Sequence, residues 1–185
     1  LIVIFITLEI MSLSIYILVG FRRSDRRSNE AAMKYFILGS VASAVLLYGA
    51  ALLYGSTGTT DIRQILALIQ KQPAAMTPMF TLGSWLVTLG FLFKVASVPF
   101  HMWMPDVYEG APVPITGFMT TGLKAAAFAA FVRVFVSLGY GKDLSAVVQA
   151  HVHDLLWVSA VLTMGLGNFV ALSQTNLKRM LAYSS

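Results

Sequence analysis

Long uninterrupted apolar runs constrain this chain more than any other feature. A run of about 20 apolar residues is long enough to cross the hydrocarbon core of a bilayer as a helix. Five such runs can be read along the 185 residues: Leu1–Gly20, then roughly 31–54, 79–98, 115–138 and 155–173. Between the second and third lies a polar stretch containing Gly58, Asp61, Arg63, Lys71 and Pro73. Within it Ile62, Ile65, Leu66 and Ile69 recur at helical spacing, which predicts a short helix lying along the membrane surface. The expected fold is therefore all-α, a polytopic transmembrane helix bundle. The chain opens inside one apolar run and stops where another begins. It reads as a single internal fragment, residues 1–185, of a membrane domain, with about five transmembrane helices and the start of a sixth.

Composition supports this and excludes other classes. Charged residues make up 11% of the chain and hydrophobic ones 57%, whereas soluble domains carry roughly 25% charged residues. There is no cysteine, so neither a disulfide framework nor a thiolate metal site is available. The net charge of +5 does not point to nucleic acid, because the basic residues sit mainly in short loops between apolar runs. Arg22, Arg23, Arg26 and Arg27 follow the first run, and Lys178 and Arg179 follow the fifth. Counting crossings puts both groups on one side, the cytoplasmic side by the positive-inside rule. The loop after the third run is acidic, with Asp106 and Glu109, and lends that rule no support.

Ionisable residues inside the runs are the functional candidates. A charge at the centre of a membrane helix costs about 2.5–3.5 kcal/mol on insertion scales. Glu9 lies about eleven residues from the first loop, roughly 16 Å deep at 1.5 Å per residue. Lys94 lies five residues before Pro99, and Lys124 about ten residues into the fourth run. These three are too deep to reach the surface easily. Lys34, four residues after Glu30, and Arg133, near the outer end of the fourth run, have the simpler option of snorkelling. His151 and His153 read as a solvated pair in an outside loop. As a catalytic pair, Asp106 and Glu109 have no positioned partner in the sequence.

The third run also carries a break. Pro99 removes a backbone donor, and Pro105, Gly110, Pro112 and Pro114 follow within fifteen residues. At membrane depth, freed backbone groups persist only inside protein or beside water. A discontinuous helix with Lys94 before the break and His101 after it therefore suggests a hydrated cavity. No nucleotide-binding loop, nucleophilic triad or zinc spacing is present.

The segment Phe93-Lys94-Val95-Ala96-Ser97-Val98-Pro99-Phe100-His101-Met102-Trp103-Met104-Pro105-Asp106-Val107-Tyr108-Glu109-Gly110-Ala111-Pro112 resembles the antiporter-like subunits of respiratory complex I, the NADH–quinone oxidoreductase. The stretches Glu30–Ser40 and Asn176–Ser185 are similar to the same family, the former to its N-type members more than to the M and L types. By this resemblance the runs correspond to family helices five to nine and the beginning of ten. Glu9 matches the fifth-helix glutamate, Lys94 the lysine of the broken seventh helix, Lys124 the lysine of the eighth, and Lys34 a lysine characteristic of the N type. The second half-channel, with its own broken helix and lysine, has no counterpart in these residues.

The resemblance implies proton translocation across a bacterial inner membrane, driven by electron transfer in other subunits. Proton-translocation candidates are Glu9, Lys94, Lys124, Lys34 and His101. Burial disfavours a charged ammonium and a neighbouring carboxylate restores it, so a lysine and a glutamate that change their separation can take up and release a proton. Expected partners are the lipid bilayer and the other membrane-arm subunits, especially a neighbouring antiporter-like one. No NADH, flavin, iron–sulfur or quinone site is expected in this chain; those cofactors belong to partner subunits. A related cation/proton antiporter or membrane-bound hydrogenase subunit is the alternative, and a structural membrane scaffold with a vestigial ion network is a third reading. The topology has a direct check. Single cysteines at positions 24 and 173 should be labelled from the same side of the membrane, and labelling from opposite sides would overturn the helix count.

Overall fold

The Asp25 carboxylate accepts a hydrogen bond from the Arg27 N–H at 2.9 Å and starts the longest helix of the chain just after the arginine loop. The computed structural model describes residues 1–71, 77–137 and 146–185, so Pro73 and Leu138 lie outside the described residues. Helix α1 spans Ile2–Val19, α2 Arg26–Thr57 and α3 Ile62–Lys71. Helix α4 spans Pro78–Lys94, α5 Met104–Gly110 and α6 Val113–Phe118. A π-helical turn, Met119–Leu123, joins α6 to α7, Lys124–Ser137; α8 is Ala146–Leu172 and α9 is Leu177–Ser184. No strand occurs among the described residues.

Four stretches are both long and apolar enough to cross a membrane: α1, α2, residues 113–136 and residues 152–172. Outward faces stay apolar, with Ile17, Val41, Phe169 and Leu172 exposed. The expected third crossing is discontinuous. Its run, 79–98, holds most of the 17-residue α4 and the start of an irregular stretch, and α5 follows beyond it. One sequence expectation about boundaries changes. His151 and His153 lie within α8, which begins at Ala146, and not in a loop. The side chain of His151 is outside the described residues; that of His153 is exposed, with Nδ1 3.6 Å from Asp154 Oδ1. The short helix expected from Ile62, Ile65, Leu66 and Ile69 forms as α3, and Ile65 and Ile69 are its buried positions.

Small residues bring α2 and α4 together. A Cβ added at Gly49 would fall 2.7 Å from the Val87 nitrogen, so the two backbones meet at a distance only glycine allows. That approach continues past Gly90, which packs on Leu46, and delivers the end of α4 to the middle of α2.

The end of α4 is a chain reversal of defined chemistry. Ala96 takes the left-handed conformation with φ of 59°. Its N–H donates to Phe93 O at 3.0 Å, and the Ser97 N–H donates to Leu92 O at 2.9 Å. This pair is the Schellman arrangement, which satisfies two carbonyls that a helix end would otherwise orphan. Pro99 then prevents the helix from resuming. Trp103 closes the reversal from the other side. Its ring stacks on Tyr35 at a centroid distance of 4.5 Å, and its Nε1–H donates to Phe93 O at 3.2 Å. The left-handed conformation costs an L-residue roughly 1–2 kcal/mol, part of which glycine returns through its larger unfolded-state entropy. Ala96→Gly should therefore raise stability by about 0.5–1 kcal/mol, and the β-branched Ala96→Val should lower it, as read by thermal unfolding in detergent.

Candidate functional site: a buried lysine, a cavity and an ionic rim

Lys94 is the last residue of α4, and its side chain is 5% exposed. Because α4 ends there, the ammonium is free to reach sideways between α1 and α2. Its Nζ lies 3.3 Å from Glu9 Oε1, 2.8 Å from Ser12 Oγ and 3.2 Å from Ser43 Oγ. Ser43 also donates to the Glu9 carboxylate. Three donors on the ammonium thus meet three acceptors, contributed by α1 and α2. The glutamate and the lysine expected to be counter-charges are in contact. Neither serine was singled out in the sequence, although Ser12 follows Glu9 by three residues and so shares its helix face.

A second group of residues lies beyond the chain reversal. A cavity of about 430 Å³ is bounded by the irregular stretch after α4, by α7 and by α8. Lys124 and His101 both line it, with Ser97, Ser159, Thr163 and Tyr183. Lys124 is 8% exposed and makes no hydrogen bond or ion pair among the described residues. His101 Nδ1 is buried with no hydrogen-bond partner there, and its ring meets Tyr183 edge-on at 6.0 Å. Leu92, Val95 and Ala96, on either side of Lys94 in sequence, line the cavity while the Lys94 ammonium turns the other way.

The π turn directly precedes Lys124. Thr120 and Thr121 both donate to the Gly117 carbonyl, at 2.8 and 3.0 Å, as helical threonines do when they bond back to the preceding turn. Such turns collect at functional sites. Two threonines between Gly117 and Gly122 are the local sequence signal of this turn.

Lys34 belongs to neither group. It sits at the end of the bundle where the arginine loop, α5 and the start of α9 meet. Its Nζ lies 2.8 Å from Glu30 and 2.9 Å from Asp106 Oδ2. Arg179 bridges Asp106 Oδ1 and Glu109, both at 2.8 Å. Asn176 donates to Glu109, and Lys178 donates to the carbonyls of Glu109 and Ala111. Asp106 and Glu109, which had no partner in the sequence, therefore tie α5 to α2 and to α9. Both basic segments of the sequence come to this same end. The hydrogen bond from Lys34, with help from Arg179, holds the Asp106 carboxyl below the ordinary aspartate range against the opposing effect of its partial burial. A carboxyl shifted in that direction stabilises the fold above its unfolded range and loses the contribution only as pH falls through the lowered value. The tie is thus complete at neutral pH and is lost only in acid.

Over residues 1–185 the chain matches the family described as NADH:quinone oxidoreductase/Mrp antiporter, transmembrane. It is 53% identical over 182 residues, 98% of this chain, to the NADH-quinone oxidoreductase subunit N of Trichlorobacter lovleyi. Among solved structures it resembles a chain of respiratory complex I from Thermus thermophilus, with 40% identity and a TM-score of 0.76 over 97% of its length. It also resembles a chain of an archaeal membrane-bound sulfane sulfur reductase, with 32% identity and a TM-score of 0.85 over 97% of its length. In each case it spans about a third of the relative, 36%, 36% and 35% respectively. The rim makes a separate prediction. Lys34 is 44% exposed on its side chain, so its coupling to Asp106 in a double-mutant cycle should be below about 1 kcal/mol. Asp106→Asn should cost more than Lys34→Gln, because it also releases Arg179; chemical unfolding monitored for each variant decides.

Proposed function

The chain belongs to the NADH:quinone oxidoreductase/Mrp antiporter transmembrane family, and from that premise we propose that it carries protons across the bilayer as part of the membrane arm of an NADH:quinone oxidoreductase. The observation that carries the proposal is the Glu9–Lys94 contact, an ammonium buried at membrane depth and held by a carboxylate and two hydroxyls on two other helices. A buried charge that is merely structural gains little over well-packed apolar residues. A lysine beside a carboxylate can instead be switched. While Glu9 is ionised and close, Lys94 keeps its proton. When Glu9 is neutralised or drawn away, the ammonium loses its counter-charge and the proton leaves.

Lys124 is the next acceptor in this reading, with His101 beside it in the cavity and water and hydroxyls between them. Lys34 is the feeder on the cytoplasmic rim, linked through Asp106 to the mouth of the bundle. The chain is a segment of a multi-pass membrane protein; we place it in a bacterial inner membrane, next to another antiporter-like subunit. Electron transfer elsewhere in the assembly supplies the drive, and NADH, flavin, iron–sulfur and quinone chemistry stays in the partner subunits. A second reading, a subunit of a related cation/proton antiporter or hydrogenase-like complex, has in its favour the backbone similarity to the archaeal sulfur reductase. The closer sequence similarity to N-type subunits supports the first.

Proton pumping by the intact complex in reconstituted vesicles tests the proposal. Glu9→Gln and Lys94→Ala should each lower the rate about tenfold or more, since each removes a charge-assisted hydrogen bond worth about 1.5–3 kcal/mol. Assembly of the complex should survive. The double variant should be no worse than the more damaging single one, because both act in one unit. Strictly additive losses, or full pumping with Glu9→Gln, would refute it.

A further inference from the structure

Helix α8 reaches the chain reversal after α4 through hydroxyl groups. The Val98 N–H donates to Thr163 Oγ1 at 2.9 Å. Ser159 Oγ donates to the Val98 carbonyl at 3.0 Å. Ser97 Oγ lies 2.6 Å from Ser159 Oγ and 2.9 Å from Thr163 Oγ1. Each hydroxyl has one proton to give. Ser159 spends its proton on the Val98 carbonyl, so Ser97 must donate to Ser159. Thr163 accepts from Val98 and donates either to Ser97 or to the Ser159 carbonyl, 2.6 Å away. The result is a near-closed ring through both polar groups of the Val98 backbone.

That ring replaces the hydrogen bonds Val98 would make if α4 continued. At membrane depth an irregular backbone needs such substitutes, because no bulk water supplies them. The residues sit on α8 at positions 159 and 163, one helical turn apart, so both hydroxyls emerge on a single face. Ser159 is 5% exposed, and the ring forms part of the wall of the cavity that holds Lys124 and His101. It also grips the chain three to four residues after Lys94 and three residues before His101. A shift of the irregular stretch would move both ionisable groups together.

We infer that Ser159 and Thr163 are positioning residues, a hydroxyl clasp by which α8 sets the place of the broken α4 and hence of Lys94 and His101 in the proton path. This rests on the proton-translocation reading above. The test uses the intact complex with Thr163→Val, which keeps the shape and removes the hydroxyl, Ser159→Ala as an independent break of the ring, and Thr163→Ser as the conservative variant. Hydrogen–deuterium exchange over peptides covering the reversal reads the clasp itself. Pumping per electron and its pH profile read the function, with Lys94→Ala as the reference for a disabled path.

Thr163→Val and Ser159→Ala should speed exchange at the reversal by about tenfold, the loss expected for one buried hydrogen bond. They should also lower pumping per electron and displace the pH profile, and Thr163→Ser should restore both. Exchange as in the parent protein would overturn the clasp. Faster exchange with pumping and pH profile unchanged, while Lys94→Ala still abolishes pumping, would overturn the positioning role. Full pumping in Lys94→Ala would instead overturn the reading on which the inference rests, whatever the α8 variants do.

Discussion

One ion pair organises the described helices. Lys94 can be buried as an ammonium because a carboxylate faces it, from a residue 85 positions earlier in the chain. Satisfying it requires α1, α2 and α4 to lie side by side with Glu9, Ser43 and Lys94 at one level. The glycine approach of α2 and α4 supplies the closeness, and the end of α4 supplies the reach. A lysine one turn earlier would project from an intact helix wall; at the last residue it enters the space between two neighbours. The polar centre and the apolar packing around it are thus consequences of the same placement.

The break in α4 is the second constraint, and it is handled locally and remotely. Locally, the Schellman bonds of Ala96 and Ser97 and the indole of Trp103 satisfy the carbonyls of the last turn. Remotely, α8 supplies hydroxyls to Val98. What remains on the inner side is a cavity whose lysine and whose histidine Nδ1 have no partner among the described residues. Lys94 and the cavity lie on opposite sides of the reversal, so any proton passing from one to the other must cross the segment that the clasp holds. At the far end, Asp106 joins Lys34 and Arg179 and fixes α5 against the rim. Anchors on both sides leave the reversal as the part with the fewest helical hydrogen bonds between two fixed ends.

Much of this was legible in the residues. Apolar run lengths gave the helices, Pro99 gave the break, and depth within the runs isolated Glu9, Lys94 and Lys124. Helix ends were harder. The stretch around His151 and His153 looked like a loop because Gln149, His151, His153 and Asp154 interrupt its apolar residues, yet α8 extends through them. Partners were harder still. Ser12 carried a local signal, three residues from Glu9, but Ser43, Ser159 and Thr163 are ordinary small polar residues whose meaning depends on what faces them across 34 or more positions. Asp106 and Glu109 looked unpartnered for the same reason: their cations lie on α2 and α9. Periodicity reports burial along one helix and is silent about which helix lies opposite.

In the proposed mechanism Lys94 releases and regains its proton during turnover as Glu9 is neutralised or drawn away, instead of standing in a fixed pair. Infrared difference spectroscopy of the working complex, with isotope-labelled glutamate and a Glu9→Gln reference, reads this directly. A Glu9 band should appear, vanish or shift between resting and turning-over enzyme and be missing from the Glu9→Gln complex. A Glu9 carboxylate band that stays unchanged throughout turnover, while protons are pumped at the normal rate, would contradict it.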